Sequence, residues 1–157
     1  MSLTSTDLSD GAPMPTQHIY PRCGGRNISP QLAWKGAPSA TQSFALTMID
    51  LDVMPAQWSH WVVANLPVTV HSIEQGAHSM PADAKAVQSN FGDAAYAGPC
   101  PPAGTGLHHY RFTIWALPVA SLDLTADEKA TELTARLSKL ALEHASLTTQ
   151  VQAPAVP

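Results

Sequence analysis

Between Ser43 and Asp50 the chain reads SFALTMID, with Phe44, Leu46 and Met48 alternating against Ala45, Thr47 and Ile49. Both sets are largely apolar, which predicts a strand buried on two faces. It ends in Asp50-Leu51-Asp52, two carboxylates where strand gives way to loop. Trp58-Ser59-His60 then leads into WVVANLP, a continuous apolar run that suits a second central strand and is stopped by Pro67. Further on, Tyr110, Phe112, Ile114 and Ala116 alternate with Arg111, Thr113, Trp115 and Leu117, a third strand. Turn signals at Gly24-Gly25 and Ser29-Pro30 accompany a short strand carrying Leu32 and Trp34, and another short strand is expected between Val68 and Gly76. Residues 77–97 carry no clear period.

One helix is expected. Thr125-Ala126-Asp127-Glu128 has the form of a capping box, with Thr125 as N-cap and Glu128 three residues on. Ala130, Leu133, Leu137, Leu140 and Ala141 follow at helical spacing, carrying the helix to about His144. Ser146–Val151 reads as a final strand. The pattern is therefore mainly β with a C-terminal helix. It divides into an N-terminal arm or short edge strands (1–22, polar and proline-punctuated), a single domain (23–152) and a flexible tail (153–157).

At 157 residues the chain is long enough for one real core. Only 13% of its residues are charged, against about 25% in typical domains, and the net charge is −4. No basic stripe is present for nucleic acid, and the eight Lys and Arg are too scattered to hold an acidic membrane surface. The N-terminus has neither a basic segment nor an apolar core of the signal-peptide kind, and no apolar stretch approaches the length of a membrane span. With Cys23 and Cys100 alone, the expectation is reduced thiols in a cytoplasmic protein. Both lie beside glycine- or proline-rich loops, so a bridge stays open.

The stretch GPCPPAGTGLHHY, Gly98–Tyr110, holds three prolines and three glycines in its first nine positions. Proline fixes φ and glycine permits φ > 0, which suits a loop of one shape delivering His108 and His109 onto a strand. The polar groups of interest thus lie at three strand ends: Asp50 with Asp52, His60, and His108 with His109. Each could be a surface or packing residue taken alone. If they converge, Asp50 can fix the ring and tautomer of an imidazole, and two imidazoles with amides of the Gly104-Thr105-Gly106 turn would receive an anion. Trp58 is the candidate pocket wall, whereas Trp34, Trp61 and Trp115 read as core. No nucleophile elbow and no phosphate loop of the GxxxxGK[ST] kind is present. Cys100, between Pro99 and Pro101, fits a structural cysteine better than a nucleophile. Asp50, His60 and His108 lack the local spacing of known zinc motifs, so no metal and no cofactor is expected.

Four separated segments now stand in one order: NISPQLAW (27–34), DLD (50–52), HWVVANLP (60–67) and YAGPCPPAGTGLHHYRFTIWAL (96–117). In them the chain resembles the phosphatidylethanolamine-binding proteins, in particular the bacterial branch labelled Raf-kinase-inhibitor-like. The resemblance implies a large central sheet, antiparallel-rich, flanked by a smaller sheet and by helical structure. It also implies an anion pocket at one end of that sheet, whose residues fall on Asp50, His60, His108 and Tyr110, with Gly98, Pro99 and Trp58 as walls. Two positions depart from the family pattern. Leu51 replaces the proline of D-P-D, and His109 replaces the arginine of H-R-Y, exchanging a permanent cation for one that titrates near neutrality. The leading functional reading is a non-catalytic module for phosphate, phosphoethanolamine, a phospholipid head group or a carboxylate. Beside it stand a regulator docking a protein partner through the pocket rim, and a small-molecule enzyme using Asp50 and the histidines as acid and base. Anion affinity is expected to fall as pH rises past about 7.

Overall fold

The computed structural model describes residues 1–77, 80–81, 84–125 and 128–157. In chain order its strands are β1 (Ser2–Thr4), β2 (Leu32–Lys35), β3 (Ser43–Asp50), β4 (Trp58–Pro67), β5 (Ser72–Ile73), β6 (Lys85–Val87), β7 (Leu107–Leu117) and β8 (Glu143–Gln152); helix α1 (Ala130–Leu140) precedes β8. A five-stranded sheet has the order β6-β4-β3-β7-β8, and a three-stranded sheet the order β1-β2-β5. Every strand pair is antiparallel. This is the large sheet with a smaller flanking sheet and a C-terminal helix that the sequence led us to expect.

The alternation in β3 and β7 sorts the core into two layers. Phe44, Leu46 and Met48 join Tyr110, Phe112 and Ile114 in a cluster completed by Leu32 and Trp34 of the small sheet. Ala45 joins Trp115 and Leu117, with Val62 and Ala64 of β4, against Ala130, Leu133 and Leu137 of α1. Trp34, Trp61 and Trp115 are all buried. The segment expected as an arm is woven into the small sheet and the core. β1 pairs with β2, and Leu3, Leu8 and Met14 are buried.

Four expectations need correction. Helix α1 starts at Ala130, with Lys129 at the N-cap position and no side-chain cap. Ala126 and Asp127 of the expected capping box lie outside the described residues. The helix stops at Leu140 because β-pairing claims the residues beyond it. The Leu142 N–H donates to the Ala116 carbonyl, and His144 lies in β8, its ring 5.0 Å from that of Trp115. Cys23 and Cys100 are joined in a disulfide, with Cα atoms 5.5 Å apart, instead of standing as free thiols. The tail is anchored at its base, since the Ala153 N–H donates to Gly106 O and the Gly104 N–H to Pro154 O.

Candidate functional site

Strand register assembles the site. Asp50, the last residue of β3, lies opposite Trp58 on β4 and opposite Tyr110 on β7. Residues facing each other across a sheet share a face, so Trp58, Asp50 and Tyr110 form one row. His108, two residues before Tyr110, shares that face. His60 arrives differently. Met48 pairs with Trp61 and Ile49 with Ser59, so His60 is the extra residue of a β-bulge. A bulge frees a side chain from strict alternation, and the His60 ring stands edge-on to Tyr110 at 5.3 Å. Tyr110 stacks on its other side with His108, ring centroids 6.4 Å apart.

Asp50, His60, His108 and Tyr110 are thus brought together, none more than 4% exposed. Asp50 Oδ2 accepts from His108 Nδ1 at 2.7 Å, and Oδ1 accepts from the Asp52 N–H at 2.9 Å. On its far side His108 Nε2 lies 2.8 Å from Thr105 Oγ1, whose hydroxyl is also 2.7 Å from the Pro102 carbonyl. A hydroxyl carries one hydrogen, and a carbonyl only accepts. Both contacts are satisfied together when His108 donates from both ring nitrogens.

His60 Nδ1 donates to the Ala97 carbonyl at 3.0 Å, leaving Nε2 as the ring's remaining polar atom. Burial holds the His60 pKa below its ordinary value; the Ala97 carbonyl and Asp50 act in the opposite direction without reversing the shift, and His108 adds to the lowering. The Tyr110 hydroxyl is buried without a hydrogen-bond partner among the described residues. Its pKa is pushed up by that burial and by the Asp50 carboxylate beside it.

The other predicted residues have separate placements. Trp58, 40% exposed, stands at the rim opposite Asp50. Gly98 and Pro99, expected as walls, follow Ala97 in the chain, and their polar groups are committed. The Gly98 N–H donates to Asn27 Oδ1 at 2.7 Å, and Pro99 O accepts from the Tyr20 N–H at 3.0 Å. The amides of the Gly104-Thr105-Gly106 turn expected to receive an anion are likewise spent at Gly104 and Thr105, on Pro154 O and Pro102 O. Asp52 stays outside the cluster. It accepts from the His109 N–H at 2.6 Å and lies 2.9 Å from His109 Nδ1, both side chains more than a third exposed. Burial raises the Asp52 pKa, but the His109 N–H and imidazole outweigh it and the net shift is down.

Sequence reasoning missed the Thr105 hydroxyl, which meets His108, and Asn27, whose carboxamide oxygen accepts from the Gly98 N–H. Among the described residues no three His, Cys, Asp or Glu side chains come together as a metal site. No helix among them is long and apolar enough to cross a membrane.

The fold and this buried cluster define a ligand-binding module of β architecture, and comparison with known proteins says which kind. Residues 4–152 match the family model described as phosphatidylethanolamine-binding protein. YbhB of Escherichia coli K12 is 40% identical over 131 residues, covering 79% of this chain and 82% of that protein. YbcL of the same strain is 35% identical over 133 residues, covering 80% and 73%. The crystal structure of E. coli YbcL, described as a new member of the mammalian PEBP family, superposes with a TM-score of 0.89 at 31% identity, over 99% of this chain and 98% of that one. A homolog from Chlamydia trachomatis, CT736, superposes with a TM-score of 0.77 at 30% identity, over 96% and 95%. The chain belongs to the phosphatidylethanolamine-binding protein family.

Proposed function

We propose that the chain binds a small oxyanion, the phosphate of phosphoethanolamine or of a phospholipid head group, or a carboxylate, at Asp50, His60, His108 and Tyr110. The observation that carries this reading is the Tyr110 hydroxyl, buried and unpartnered among the described residues, and set between two imidazoles. A buried polar atom left without a hydrogen bond costs about 1–3 kcal/mol, and a ligand oxygen would satisfy it.

The roles follow from the donors. His60 offers Nε2, an acceptor while the ring is neutral and a donor once protonated, so an anion draws a proton onto it. Asp50 holds His108 in orientation through the Nδ1 bond. Trp58 at the rim offers an apolar face to whatever the anion is attached to. The Cys23–Cys100 bridge favours an oxidising compartment over the cytoplasmic location expected from reduced thiols.

Calorimetric titration with phosphoethanolamine, and separately with phosphate, tests the site in wild type, His60→Ala and His108→Ala. Binding by the wild type that is weakened roughly tenfold or more in both variants is expected. Equal binding by all three proteins would remove the assignment.

A further inference from the structure

The two faces of the large sheet are unequally covered. An α-helix rises 1.5 Å per residue and a strand about 3.4 Å, so the eleven residues of α1 span about 16 Å of a β7 that runs about 37 Å. The helix packs Leu133 and Leu137 over Ala45, Val62, Ala64 and Leu117. It leaves the part of the sheet nearer Asp50 without helix over it on this face.

A cavity of about 380 Å³ lies there, between Ile49, Arg111 and Trp115 of the sheet and Thr134, Ala135 and Ser138 of the helix. That volume falls within the roughly 300–1,000 Å³ of small-molecule sites. The alternation of β7 turns Arg111 away from Tyr110, so this cavity and the Asp50 cluster occupy opposite faces.

Among the described residues Arg111 is the single charged one lining the cavity, and it forms no ion pair with any of them. The rest of the polar lining is neutral, and it includes the carboxamides of Gln57 and Asn90. Thr134 Oγ1 donates to Ala130 O and Ser138 Oγ to Ala135 O, so both present lone pairs to the cavity. One guanidinium neutralises one negative charge and leaves a second without a cation to pair with. A guanidinium also matches the planar fork of a carboxylate with two parallel hydrogen bonds.

We propose that this cavity is a second ligand site, for a monocarboxylate with an apolar body. Arg111 holds the carboxylate, and Ile49, Trp115 and Ala135 receive the rest.

The test is calorimetry of the full chain with 4-phenylbutyrate and with its neutral analogue 4-phenylbutyramide. The acid should bind at least roughly tenfold more tightly than the amide. Arg111→Met, which keeps the side chain's apolar stem, should abolish that preference, and Ala135→Phe, which fills the cavity, should weaken both ligands. Titrating the acid in saturating phosphoethanolamine, which competes for the other site, should leave the acid's affinity unchanged. Three results would overturn the proposal: no binding of the acid at millimolar concentration, equal affinity for acid and amide in the wild type, or an Arg111→Met protein that still prefers the acid. Loss of acid binding in saturating phosphoethanolamine would overturn it too, by placing the carboxylate on the opposite face.

Discussion

Leu51 donates its backbone N–H to the carbonyl oxygen of His109 at 2.9 Å. These are the two positions at which the chain departs from the family's D-P-D and H-R-Y patterns, so the departures are joined by a bond. Proline at position 51 has no N–H to donate. Asp52 reinforces the same junction by accepting from the His109 N–H. The loop after Asp50 therefore loses a constraint on its φ and gains a hydrogen bond to β7.

That junction can be weighed. Leu51→Pro should destabilise the protein by about 1 kcal/mol, the net worth of one hydrogen bond. Leu51→Ala, which keeps the amide, should stay within about 0.5 kcal/mol of wild type if the half-buried side chain contributes little. Urea unfolding reads both, and a Leu51→Pro protein more stable than Leu51→Ala would show that the bond is dispensable.

Acid should weaken the fold through His60. The unfolded imidazole titrates near 6.5, whereas burial lowers the folded value. Between the two, the unfolded chain binds more protons, so stability is lost as pH falls below about 6.5 and through the folded pKa. Asp52, lowered from 3.8, loses its contribution in a separate and more acidic window. A bound anion favours the charged His60 ring, so anion affinity should rise as pH falls across the same range, a lower window than the unperturbed histidine value suggests. Urea unfolding from about pH 7.5 to 5.5 should show a smaller loss in His60→Gln than in wild type. Parallel profiles would contradict this role for His60.

Gly98 has no room for a side chain. A Cβ there would run into the His18 carbonyl oxygen and lie 2.8 Å from the Tyr20 nitrogen, both backbone atoms. Gly98→Ala should cost about 1–3 kcal/mol, the range for forced overpacking. Because the shift displaces Ala97, it should also disturb the His60 Nδ1 bond, read as a moved His60 ring resonance in NMR spectra. A variant of wild-type stability with an unmoved resonance would contradict the close packing of this wall.

The disulfide closes a loop across a sequence separation of 77 residues and ties the Gly98 wall to the N-terminal segment. Replacing both cysteines by serine should destabilise the protein by about 2–4 kcal/mol. Thermal melts of wild type with and without reductant should differ in the same direction. Coincident melts, with thiol titration confirming reduction, would show that the bridge contributes nothing.

What was legible in the sequence was local. Period-two alternation in β3 and β7 assigned Phe44, Leu46 and Met48 to one layer and Ala45, Trp115 and Leu117 to the other, because side-chain direction in a strand depends only on position. The end of α1 was not local. Leu140, Ala141 and His144 continue a helical pattern, and only the ladder with β7 turns Glu143 onward into strand. The Cys23–Cys100 pairing was hidden for the same reason, since nothing near either residue records the other. The site lies between these cases. Separated motifs pointed to its four residues, whereas the bulge that turns His60 toward Tyr110 leaves no periodic trace. The service of Thr105 to His108 depends on a loop shape that composition only suggests.

The most direct test of the anion site is a crystal structure of the wild-type protein soaked in phosphoethanolamine at about pH 6, near the histidine range. Phosphate density is expected between His60 and His108, with one oxygen within hydrogen-bonding distance of the Tyr110 hydroxyl and another at His60 Nε2. Phosphoethanolamine bound elsewhere, with the Tyr110 hydroxyl still unpartnered, would contradict it.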